Sequence, residues 1–68
     1  MEEKSDLEMA MAALTDEVGG VKEYLEIAEY CKDQELKAIA MNIAADEKKH
    51  ANILMQFVAK HVQAMLSK

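Results

Sequence analysis

Apolar residues recur along the first half of the chain at Leu7, Met11, Leu14, Val18, Val21, Leu25 and Ala28. The steps alternate four and three, the period of a helix with one packed face. Ser5 and Asp6 stand just before this run as cap residues, and Glu8 follows Ser5 at capping-box spacing. The pattern breaks around Cys31-Lys32-Asp33. Asp33 suits the N-cap of a second helix, with Glu35 and Leu36 in its first turn. Leu36, Ile39, Ile43, Leu54 and Phe57 then carry that helix to about Leu66. The pattern predicts one all-α domain over residues 1–68, a two-helix antiparallel hairpin. Its parts are a helix over about 6–31, a turn at about 32–33 and a helix over about 34–66. No repeat, low-complexity stretch or linker divides it.

Gly19-Gly20 is the one local conflict with this reading. Glycine inside a helix costs about 1 kcal/mol relative to alanine. Three explanations stand open: close approach of another helix, a real break giving three short helices, or a bulge beside a functional site.

Composition sharpens the picture by asking what holds such a hairpin together. With 68 residues, the chain is below the roughly 70–80 at which one core suffices without a staple. Cys31 is the only cysteine, so an internal disulfide is excluded and metal or oligomerisation remains. Hydrophobic residues make up 51%, and proline is absent, which favours helix throughout. The net charge of −5, without a basic block, argues against a nucleic-acid partner. No run approaches the roughly 20 apolar residues of a membrane span. The acidic start Met1-Glu2-Glu3-Lys4 leads into no signal-like apolar run. A cytoplasmic protein is therefore expected, in keeping with a lone thiol.

Candidate chemistry lies where polar residues interrupt apolar lines. On the first helix the line Ala10, Leu14, Glu17, Val21, Tyr24, Ala28, Cys31 is broken only by Glu17. On the second, Ala40, Ile43, Glu47, His50, Leu54, Phe57 is broken by Glu47 and His50. A buried carboxylate needs a compensating charge, and a metal cation supplies one. Folding the chain back at residues 32–33 sets Glu17, 15 residues before Lys32, level with Glu47, 14 after Asp33. Helix formation by itself does not require that agreement. Glu47-Lys48-Lys49-His50 is a Glu-x-x-His pair, whose two side chains stand one turn apart on one face. Carboxylate-bridged di-iron bundles take a Glu from each of two helices and a Glu-x-x-His from each of two others. One chain carries half of that set, and a two-fold dimer would carry all of it.

Each residue taken alone has an ordinary explanation. Glu17 suits a solvated flank, Glu47 an exposed charged turn with Asp46, Lys48 and Lys49, and His50 a boundary histidine. Their common level is what favours metal. Tyr24, seven residues beyond Glu17, is placed to hydrogen-bond a ligand carboxylate or simply to pack. His61 lies about three turns from His50, too far to join, and Cys31 reads as structural. Met9, Met11, Met41, Met55 and Met65 read as adaptable packing. Oxygen donors with one imidazole per metal suit iron or manganese better than copper or structural zinc.

The run Asp33-Gln34-Glu35-Leu36-Lys37-Ala38-Ile39, followed by Asp46-Glu47-Lys48-Lys49-His50-Ala51, resembles the encapsulated ferritin family. The resemblance runs without a gap from about Thr15 to Lys60 and includes Glu17, Tyr24, Glu47 and His50 at the family's offsets. It belongs to the ferritin-like superfamily and is distantly similar to rubrerythrin. The resemblance implies a homodimer that completes a ferritin-like four-helix bundle, with two irons per dimer interface. It implies oxidation of Fe(II) to Fe(III), serving iron storage and detoxification. A larger ring-like homo-oligomer, commonly a decamer, is implied as well, working inside an encapsulin shell. Two positions depart from the pattern. Beside the first ligand the family carries acidic residues where metal enters; Asp16 keeps one, and Gly19 replaces the other. Glu23 stands where an aromatic residue is common.

The expectation is thus a ferroxidase whose Glu17, Glu47 and His50 bind iron across a two-fold interface, with Tyr24 supporting them. Two alternatives remain at this point: a rubrerythrin-like peroxide-reducing di-iron protein, and a helical assembly module without metal.

Overall fold

A computed structural model describes residues 4–67 of the chain; the acidic start Met1-Glu2-Glu3 and the final Lys68 lie outside them. It consists of two α-helices, α1 (Asp6–Tyr30) and α2 (Gln34–Leu66), with no strand among the described residues.

Local chemistry fixes the helix ends. The Glu8 amide donates to Ser5 Oγ at 3.1 Å, and the Ser5 amide donates to Glu8 Oε1 at 3.1 Å. This reciprocal box satisfies two amides that have no partner inside the helix. At α2 the Leu36 amide donates to Asp33 Oδ1 at 2.8 Å. Between the helices the chain reverses without a left-handed residue, since none of the described non-glycine residues or glycines has a positive φ. Cys31 turns extended, with its amide still donating to the Ile27 carbonyl at 2.8 Å, and Asp33 is extended too. Two extended residues flanking Lys32 are enough to turn the chain back on itself.

The most deeply buried positions between the helices are alanines, flanked by half-buried Leu14, Val21, Ile43 and Leu54. Ala28, Ala40, Ala44 and Ala51 are the buried apolar residues, with Ala40 and Ala44 only 1% and 2% exposed. Small side chains let the two backbones approach closely. The register is set by Glu17 meeting His50 and by Gly20 facing Glu47. That register brings the start of α1 level with His61, so the last turn of α2 projects past it. At this end the His61 ring stacks on Phe57 with centroids 4.2 Å apart. Its Nδ1 is shielded and has no hydrogen-bond partner among the described residues.

One pair of helices cannot enclose the stripes they carry. The molecule is only 13 Å thick in its thinnest dimension, about a single helix diameter. Met11, Val18 and Leu25, in the periodic stripe of α1, remain 51%, 53% and 43% exposed. Ile39, Ile53, Met41 and Met55 of α2 are exposed as well. The methionines read as adaptable packing do not pack inside the single hairpin. Met9, Met11, Met41, Met55 and Met65 all stand at its surface, because their positions face away from the alanine seam.

The helix α1 runs through Gly19-Gly20 without a break or a π-bulge. Of the two, only Gly20 faces α2. Gly19 looks into open space, and nothing in the structure explains its choice.

Candidate metal centre

Glu17 sits near the middle of α1, and Glu47 and His50 sit one turn apart on α2. The hairpin register brings the three together. A ligand atom from each lies within 4.8 Å of those of the other two. His50 Nδ1 is 3.3 Å from Glu17 Oε2, and donates to it when that nitrogen carries a proton. These are residues 33 apart in the chain, so the contact is tertiary. Glu17 and Glu47 are half-buried, whereas His50 is on the outer edge, its side chain 55% exposed against 26% for Glu17.

The electrostatics follow from crowding two carboxylates. Glu17, sharing a hydrogen bond with Glu47, holds the Glu47 carboxyl above its ordinary pKa. Partial desolvation and the Glu17 charge push the same way, His50 opposes, and Asp46 adds a smaller push upward. Two like charges at this distance favour uptake of a positive species, either a proton or a metal cation. Because the two compete for the same lone pairs, metal affinity at such a site falls on acidification. The donor set is two carboxylates and one imidazole, which suits a hard or borderline divalent ion such as iron or manganese.

The other sequence candidates lie outside this cluster. Tyr24 is half-buried one heptad along the same face of α1 and takes no part in the Glu17–His50 contact. Asp16 is exposed. Cys31 is a free, half-buried thiol at the turn, with Sγ 3.5 Å from the Asp33 carbonyl. Residue patterning alone missed the relation of Gly20 to Glu47. The signal was the glycine pair itself, which marked the place without saying which glycine mattered or what it faced.

A model of the EncFtn-like family matches the chain over residues 1–68. The chain belongs to the EncFtn-like family. This agrees with the encapsulated-ferritin resemblance carried by Glu17, Tyr24, Glu47 and His50. No curated protein and no solved structure matches the chain. For an EncFtn-like chain, a carboxylate–imidazole group at mid-hairpin is the feature with evident chemistry. No helix among the described residues is long and apolar enough to cross a membrane.

Proposed function

We propose that this EncFtn-like chain is a ferroxidase subunit, in which two copies join their Glu17, Glu47 and His50 side chains around a pair of Fe(II) ions. The observation that carries this reading is the convergence of three donors, one from α1 and two from α2, within 4.8 Å. A single hairpin offers too few donors for two irons. A second copy related by a two-fold axis brings the total to four carboxylates and two imidazoles, the set used by di-iron bundles. The exposed edge position of His50 suits this, because a ligand shared across an interface must be reachable from outside the chain. His50 also lies seven residues from both Ile43 and Phe57, so the ligand interrupts an apolar row that a second copy can cover.

Iron is the substrate in this scheme. Each Fe(II) loses one electron; the two electrons and two protons reduce dioxygen to hydrogen peroxide. The protein's own residues bind and orient the ions. Glu17 and Glu47 supply negative charge that favours the ferric product, and His50 supplies the lone pair of an unprotonated ring nitrogen. In this scheme Tyr24, half-buried two turns along the same face of α1, is the candidate to support a ligand carboxylate once the dimer forms, and Asp16 the candidate for metal entry. Completed dimers assemble further through the remaining exposed apolar residues. Family membership supports a ring-like homo-oligomer acting beside or inside an encapsulin shell in the cytoplasm.

Anaerobic titration with Fe(II) tests the reading. Binding should saturate at two irons per dimer, and admission of oxygen should raise near-ultraviolet absorbance. Glu47→Ala and His50→Ala should weaken the binding strongly and remove the oxygen-dependent rise. Unchanged oxidation kinetics in the two variants would overturn the assignment.

A further inference from the structure

We propose that Gly20 is a positioning residue for Glu47: the missing side chain on α1 is the space in which the Glu47 carboxylate sits. This rests on the metal reading above and extends it to a residue that bears no donor.

Neither glycine is explained by backbone conformation, since neither has a positive φ and α1 is regular through both. Their surroundings differ. A Cβ built on Gly19 would meet nothing within 4 Å. A Cβ built on Gly20 would lie 2.6 Å from Glu47 Oε2, 3.1 Å from its Cδ and 3.6 Å from its Cγ. Ordinary non-bonded contacts to carbon sit at about 3.5 Å or more, so the carboxylate would have to shift. These three nearest atoms all belong to one side chain, and none is backbone. What a side chain at position 20 would meet first is thus the Glu47 side chain and not the backbone of α2. Gly20 accommodates the end of a side chain whose ligand atom lies within 4.8 Å of those of Glu17 and His50.

The direction of the effect follows. Because Glu47 is flexible at its far end, Gly20→Ala leaves the hairpin intact and moves the carboxylate. Alanine also favours helix over glycine at either position. Stability and metal binding should thus respond in opposite directions at Gly20 and should be uncoupled at Gly19, which gives a matched control.

The test compares full-length wild type, Gly19→Ala and Gly20→Ala, using Co(II) as a spectroscopic probe under anaerobic conditions. Metal-free melting temperatures should rise by similar amounts in both variants. Gly19→Ala should bind Co(II) with wild-type affinity and an unchanged visible spectrum. Gly20→Ala should bind about 10- to 100-fold more weakly, the range seen when support of a metal ligand is lost, with shifted bands. A Gly20→Ala protein that binds with wild-type affinity and spectrum overturns the inference alone. So does one whose metal-free melting temperature falls below wild type, which would make Gly20 a packing residue. A wild type that binds no Co(II) overturns the metal reading, and this inference with it.

Discussion

Replacing His50 by alanine tests the metal centre through stability, with no iron oxidation to follow. The His50 side chain is 55% exposed and meets Glu17 at 3.3 Å. Its removal from the metal-free protein should therefore stay within about 0.5 kcal/mol, the usual range for surface substitutions. The metal-bound protein should respond very differently. A ligand that binds only the folded state stabilises it by about 2.7 kcal/mol when its free concentration is 100 times Kd. Each chain contributes one Glu-Glu-His group and so gains one such increment. At roughly 2.1 cal/mol/K per residue, the unfolding entropy of 68 residues is about 0.14 kcal/mol/K. The melting temperature of wild type should then rise by roughly 19 °C with metal. If loss of the imidazole weakens binding about a hundredfold, the same metal concentration adds about 0.4 kcal/mol, or roughly 3 °C. Circular dichroism melts with and without Co(II) or Mn(II) measure both shifts. Protein concentration must be fixed, because the midpoint of an oligomer depends on it. Retention of the full metal-dependent rise in His50→Ala would refute the reasoning. So would a fall in the metal-free midpoint as large as that in the metal-bound one.

Glu47→Gln should have opposite effects in the two states of the site. The pKa of Glu47 is raised from its ordinary 4.5, chiefly by Glu17, so the metal-free folded chain holds a proton there more readily than the unfolded chain. That contribution favours folding below pH 4.5 and is lost as pH rises through the raised value. Metal-free Glu47→Gln should consequently melt above wild type at neutral pH, with the gap closing below pH 4.5, while its metal-dependent rise disappears; a pH series of melts checks both. Ala44→Leu should overpack the seam, where Ala44 is 2% exposed, at a cost of about 1–3 kcal/mol. Ala45→Leu, one position on and exposed, should stay within about 0.5 kcal/mol, and urea unfolding of the two variants compares them.

How much of this could be read beforehand differs between fold and site. The helices were legible because their causes are local: a three-and-four apolar period, the Ser5–Glu8 box and the Asp33 cap all act within a few residues. Of the two apolar lines read on α1, the one carrying Glu17 turned inward: Ala10, Leu14, Glu17, Val21, Tyr24, Ala28 and Cys31 are all buried or half-buried, whereas Met11, Val18 and Leu25 of the other stay exposed. That the methionines lie outside the hairpin was not legible, because an apolar residue type does not say which side of a helix meets its neighbour. Glycine identity was equally ambiguous, since Gly19 and Gly20 are chemically the same and only their facing differs.

The sequence by itself determined two helices, where they begin, and the level at which Glu17, Glu47 and His50 must lie. Level follows from a constant rise of about 1.5 Å per residue measured from a turn that the pattern already marks. Rotation about each axis has no such rule and was decided by the tertiary packing. Alanine at positions 28, 40, 44 and 51 sets which faces press together. That choice left His50 at the edge, turned Gly20 toward Glu47, and kept Met11, Val18 and Leu25 outside the hairpin.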